Sequence, residues 1–214
     1  MQQITIGSKT YNLVAMPSTP GPADITLGYQ DTVAVVQSPF TRQTQTQTWP
    51  GADWWTVQMT MPPMTRAQSW PWEAFLAELR GQANVFQVGD PRALTPLGTV
   101  AGTPTTLASE SPTGNAAMAT EVGVQGFHAT DELLAGDYIQ IGYRLHRVVE
   151  ATGTISSGKA VLTIWPSLRE APADGTTVIV NATQGLFRLA ANQRQIQSSP
   201  MQLTTMSISA VEVR

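Results

Sequence analysis

Residues 41–48 read T-R-Q-T-Q-T-Q-T, and from Gln43 the alternation of Gln with Thr is strict. A period of two is the signature of a β-strand, and the β-branched Thr favours a strand over disorder. Both faces of such a strand are polar, so neither can lie on a dry core. It is expected either at a solvated edge or facing other subunits or a water-filled lumen.

The next stretch alternates differently. Trp55, Val57, Met59 and Met61 project to one side, and Trp54, Thr56, Gln58 and Thr60 to the other, as in a strand with one dry face. Pro50-Gly51-Ala52-Asp53 reads as a turn joining the two strands into a hairpin. Pro62-Pro63 ends the second strand. Thr65-x-x-Gln68 matches a capping box, and Trp72, Phe75, Leu76 and Leu79 follow i, i+3, i+4, i+7 spacing, the apolar face of a helix. Pro71 argues for a regular helix starting near Ser69, because an interior Pro is unfavourable by about 3 kcal/mol. Gly81 is the expected stop, and residues 84–88 form a further strand.

Short strands are expected at 4–6 and 11–16 around a Gly7-Ser8-Lys9 turn, with one or two more between Ile25 and Val36. Residues 92–126 are rich in Thr, Gly, Pro, Ser and Ala, with short strands possible at 105–108 and 117–122. Residues 137–150, 160–165 and 177–180 return to strand character and suggest a small barrel or curved sheet. Strand character is strong again at 185–190 and 206–213, where the alternation slips near Ala210 through a bulge or burial on both faces. The expected architecture is mainly β: residues 1–91 with 185–214 form a β domain carrying one packed α-helix. Residues 92–184 form an inserted β subdomain projecting from it.

Charged residues make up 13% of the chain, net charge is −3, and Lys is nearly absent. This argues against a nucleic-acid clamp, which needs Lys and Arg on phosphates. There is no Cys, hence no disulfide or thiolate metal site. No apolar run is long enough for a membrane-spanning helix, and no secretory signal is readable at the N-terminus. Gly153 to Lys159 matches the GxxxxGK skeleton, but Ala160 replaces the Mg²⁺-binding Ser or Thr and the segment lies between strands. His128 reads as a loop residue and His146 as a half-exposed group on the face of Arg144. Two His without ligand spacing make a poor metal site. Ser109, Asp131 and Asp137 lack any nucleophile elbow. The pairs Asp131/Glu132 and Glu170/Asp174 sit in turns and read as turn formers. No catalytic, cofactor-binding or metal-binding residues are assigned, and no cofactor is expected.

Several ordered strings carry a resemblance: SPFT (38–41), the Trp54-Trp55 pair, MPPM (61–64), FLAELRG (75–81) and VGDP (88–91). GDYIQIGYRLHRV (136–148), LREAPADGT (168–176) and GLFRLA (185–190) continue it. From Ser38 onward the chain resembles small tail proteins of long-tailed bacteriophages, of the distal-tail, baseplate-ring type. The resemblance implies a tube-like β-sandwich or barrel domain, completed by the C-terminus and interrupted by an outer β-barrel-like domain. It implies a structural virion protein of the tail tip, assembled in the host cytoplasm. Such a protein forms a ring with itself, sixfold by the resemblance, which continues the tail tube and mounts the tail-tip proteins. Its implied neighbours are the tube, tape-measure and baseplate hub proteins, with DNA passing through the lumen.

On this reading the residues facing the lumen or a neighbouring subunit are Thr41, Gln43, Thr44, Gln45, Thr46, Gln47 and Thr48. Trp49, Trp54 and Trp55 are candidate interface anchors, because aromatic residues dominate interface cores. The alternatives are a carbohydrate- or receptor-binding tail module, a tail-associated hydrolase, and a tail tube or tail-completion protein.

Overall fold

The computed structural model describes residues 2–153, 155–193, 195–198 and 203–214. Met1, Thr154 of the GxxxxGK string, Arg194 and 199–202 lie outside the described residues.

The chain is mainly β, with a single α-helix among the described residues. Strands β1 (Gln2–Ile6) and β2 (Lys9–Leu13) form a hairpin around Gly7-Ser8. Two long strands follow, β3 (Asp24–Gln37) and β4 (Thr44–Thr60), then helix α1 (Arg66–Glu78) and the short β5 (Phe86–Val88). Six strands come from the middle of the chain: β6 (Thr105–Thr106), β7 (Glu121–Gln125), β8 (Tyr138–Ile141), β9 (Arg144–Val148), β10 (Lys159–Trp165) and β11 (Val178–Ile179). The C-terminal part supplies β12 (Gly185–Leu189), the small pair β13 (Gln197–Ser198) and β14 (Thr204–Thr205), and β15 (Ser207–Glu212).

Two sheets organise the molecule. A five-stranded antiparallel sheet has the order β3-β4-β15-β12-β5, so both ends of the chain build it and residues 92–184 do not enter it. A six-stranded sheet, all from the middle of the chain, has the order β11-β8-β9-β10-β7-β6. Its two outer strands meet through a Thr105–Thr177 bridge and the bond from Val178 N–H to Pro104 O, at 2.9 Å, which curls it into a nearly closed barrel.

The dry face read from the Trp-rich stretch is where the alternation puts it: Trp55, Val57, Met59 and Met61 are buried in β4. Helix α1 lays Trp72, Phe75, Leu76 and Leu79 into the same core, with Phe86, Phe187 and Ile208. Truncating a fully buried aromatic there should be destabilising by about 3–5 kcal/mol. The Thr65 N–H donates to Gln68 Oε1 at 3.0 Å, and the helix begins at Arg66. Pro71 therefore does not delay the helix to Ser69 but lies inside it.

One further expectation is corrected. Residues 50–53 are not a hairpin turn: β4 runs on through them, its ladder with β3 interrupted at 49–52, and the two strands are joined by the turn 38–43. The middle segment builds its own sheet and also packs on the first. In β9, Leu145 packs into the core of the five-stranded sheet while Val148 packs into the barrel core, so one strand serves both. At the C-terminus the register of β15 is regular on both neighbours. The slip near Ala210 reflects burial on both faces, Ala210 on one side and Val213 in a small cluster with Ile4 and Leu186 on the other.

Candidate functional site: the β-arm and its root

Beyond Asp31 and Asp53 the β3–β4 ribbon leaves both cores. Its register pairs Val33 with Thr48, Ala34 with Gln47, Val35 with Thr46, Val36 with Gln45 and Gln37 with Thr44. Directly opposed residues share a face. One face is therefore Val33, Val35, Gln37, Thr44, Thr46 and Thr48, and the other Ala34, Val36, Gln45 and Gln47. Neither face of the Thr/Gln strand lies on a dry core, as read, but half the chemistry of each ribbon face comes from the partner strand. Both faces are open: Val35 is 61% and Val36 67% exposed. Thr41 and Gln43 lie in the tip turn, which is closed by Ser38 N–H to Gln43 O at 2.9 Å and carries Phe40 at 94% exposure. At about 3.3 Å per residue the arm reaches roughly 20 Å.

The arm's backbone edges are open too. β3 is the outer strand of the sheet, and β15 pairs with β4 only from Thr56 to Thr60, so residues 44–48 of β4 have β3 as their one ladder partner. Between Thr32 and Trp49 the only charged residue is Arg42.

The three indoles separate. Trp49 is exposed in the irregular part of β4, Trp54 is half-buried with the Arg214 guanidinium 4.9 Å from its ring centroid, and Trp55 is fully buried. Trp55 is a core residue and cannot anchor a partner. Its indole Nε1–H donates to Leu145 O of β9 at 2.8 Å, and its ring meets Tyr29 and Trp165 at centroid distances of 4.8 and 4.7 Å.

At the root of the arm Asp31 and Asp53 face each other across the strands. Trp165 Nε1–H donates to Asp31 Oδ1 at 2.8 Å. Asp53 accepts from Ser167 N–H at 2.6 Å and Ser167 Oγ–H at 2.8 Å, and pairs with Arg169 Nη1 at 3.2 Å. Burial pushes the Asp53 carboxyl up, but the Ser167 donors and the Arg169 charge outweigh it and hold it below 3.8. Arg169 continues to Glu212 Oε2 at 3.3 Å, and Arg144 bridges Glu170 and Glu212 at 3.2 and 4.0 Å. Behind them His146, expected at the surface, is 1% exposed and donates from Nδ1 to Pro166 O at 2.7 Å. Burial first, and the charges of Arg169 and Arg144 next, push its pKa down to about 4.

A cleft of about 250 Å³ is lined by Arg144, His146, Arg169 and Glu170, yet its charged groups are paired with protein groups. Elsewhere the turn-forming carboxylates behave as read. Asp131 accepts backbone N–H from Ala101, Gly102 and His128, and Asp174 from Ala108. Lys159 of the GxxxxGK string pairs with Glu110 at 2.7 Å. Among the described residues no group of three or more His, Cys, Asp or Glu could hold a metal ion, and no helix is long and apolar enough to cross a membrane.

Sequence reasoning expected strand between Ile25 and Val36 but missed its pairing with Thr44 to Thr48 as the second half of the arm, and the grip of Arg169. The alternating Val33 and Val35 was the available signal for the first. Nothing local marks Arg169. No protein-family model matches the chain, and no curated protein matches it.

Proposed function

We propose that this chain is a structural ring subunit of a phage-type tail tip, which continues the tail tube and mounts the tail-tip proteins. The observation that carries the reading is the arm: two strands with both faces and both edges uncovered. Exposed edge strands template pairing with other chains and are ordinarily blocked by Lys, Pro, bulges or cover. Along residues 33–37 and 43–48 this arm has no Lys and no Pro. Its two edges differ, one from β3 and one from β4, so pairing the β3 edge of one copy with the β4 edge of the next is head-to-tail. Such a contact closes into a ring when the rotation allows. The Val/Thr face suits packing on a neighbouring subunit, and the Gln face suits a wet lumen that offers DNA few phosphate partners. The resemblance of the ordered strings to distal tail proteins agrees with this use.

The sugar-binding alternative has less support. Of the indoles that reach the surface, Trp70 has Arg66 stacked over its ring at 4.1 Å and Trp54 has Arg214, while Trp49 is exposed with no such cover among the described residues and is the indole left for this alternative.

Native mass measurement and electron-microscope images of the purified protein test the reading. A closed ring is expected, sixfold by the resemblance. Gln45→Lys with Gln47→Lys should block pairing along the β4 edge, as Lys does on natural edge strands, and so abolish the ring while leaving the monomer's circular dichroism unchanged. A parent protein that stays monomeric at every concentration, or a double variant that assembles like the parent, would sink the proposal.

A further inference from the structure

The arm leaves the sheet at a defect. Between the Asp31–Asp53 and Val33–Thr48 pairs, β3 spends one residue, Thr32, and β4 spends four, 49–52. Bulges bend and twist a ribbon, and Gly51 takes the left-handed φ of +76° that the path requires. The pair just inside the defect is Asp opposite Asp, which repels when left alone. A two-stranded ribbon without a core has no means of its own to fix its direction at such a joint.

The barrel supplies that means. Trp165 ends β10, and Ser167 and Arg169 follow it in the bend that leaves the strand. Leu168, between them, is buried in the barrel core. All three reach the root of the arm. Trp165 holds Asp31 on the β3 side, and its ring lies 4.6 Å from Tyr29 of the same strand. Ser167 holds Asp53 on the β4 side through two bonds. Arg169 Nη1 donates to Gly51 O at 2.9 Å inside the defect, while Nη2 donates to Asp53 O and reaches Glu212 of β15. Its planar fork thus ties the defect to the neighbouring strand, a geometry Lys cannot reproduce.

We propose that segment 165–169 of the barrel is a brace that fixes the angle at which the arm leaves the sheet, with Ser167 and Arg169 as positioning residues acting through Asp53. Its purpose rests on the ring reading: an arm held at its working angle before assembly spares the ordering cost of binding. The inserted barrel then has a role in assembly although it need touch no neighbouring subunit.

The absence of Cys gives a clean background for paired spin labels at Phe40→Cys on the arm tip and Val161→Cys on barrel strand β10. Pulsed electron–electron distance measurements, on labelled chain diluted into excess unlabelled chain, report the arm angle directly. The parent should give one narrow distribution. Asp53→Asn with Ser167→Ala, and separately Ser167→Ala alone, should broaden or shift it in a folded protein and raise the concentration needed for assembly by about tenfold for the double variant. Asp174→Asn, which disturbs a barrel loop away from the root, should leave it unchanged. A broad distribution in the parent, or an unchanged one in both brace variants, overturns the proposal. If the brace variants broaden while the parent never assembles, the brace stands and the ring reading fails.

Discussion

His146 is a neutral imidazole enclosed between the barrel and the five-stranded sheet, with a folded pKa of about 4 against an ordinary 6.5. Above pH 6.5 the ring is neutral in folded and unfolded chains alike, and the burial is fully favourable. Between pH 6.5 and 4 the unfolded chain takes a proton that the folded protein refuses, so stability falls as pH falls. Below about 4 both states are protonated and this site contributes no further loss. Integrated over that window the effect is about 3 kcal/mol. The carboxylates Asp53, Asp90 and Asp131 are held below 3.8, so their losses come at lower pH. Urea unfolding at pH 7 and pH 4.5 should therefore show a marked drop in the parent protein. His146→Asn keeps a donor for Pro166 O and cannot titrate in this range, so it should be much less sensitive. Equal sensitivity of the two proteins would refute the assignment.

At the scale of elements, α1 and the arm are opposites. The helix has one dry face, a capping interaction at Thr65 and an interior Pro71 whose ring is exposed. Pro71 cannot donate to Ala67 O, and a Pro inside a helix is unfavourable by about 3 kcal/mol relative to Ala. Part of that is offset because Pro also restricts the unfolded chain. Pro71→Ala should raise the stability measured by denaturant unfolding by about 1–2 kcal/mol, and a loss on substitution would contradict this account. The arm, by contrast, adds no residue beyond Asp31 to either core, which is why changes such as Gln45→Lys are expected to alter assembly and not folding.

The two main sheets of the molecule meet along one seam. Tyr138 and Leu145 of the barrel belong to the core of the five-stranded sheet, and Trp55 of that sheet donates to a barrel carbonyl. Buried Glu212 and half-buried Asp53, Arg144 and Arg169 close the seam as a set of paired charges, where loss of one partner leaves the others short of one. The barrel and the sheet should therefore unfold together. Scanning calorimetry should give one transition whose calorimetric and van't Hoff enthalpies agree, whereas two separated transitions would show independent units.

What the sequence determined by itself were features with a local period. The dry faces of β4 and α1, the hairpin at 2–13, and the strand-rich middle and C-terminal segments follow from spacing two or spacing 3.6 within a dozen residues. The tertiary structure alone decided the pairings and what lies on the far side of each strand. Pro50 to Asp53 carries every local mark of a turn, yet β3 is long enough to run alongside both halves of β4, and the turn chemistry is absorbed as a defect in a ladder. Arg144 and His146 read as a wet face, but β9 is covered by the sheet on one side and the barrel on the other. Arg169 and Asp53 are 116 residues apart in the chain, and nothing within a window of neighbours records that they meet. Burial and charge pairing depend on which distant surfaces are brought together, and those contacts fix the arm on which the proposed function rests.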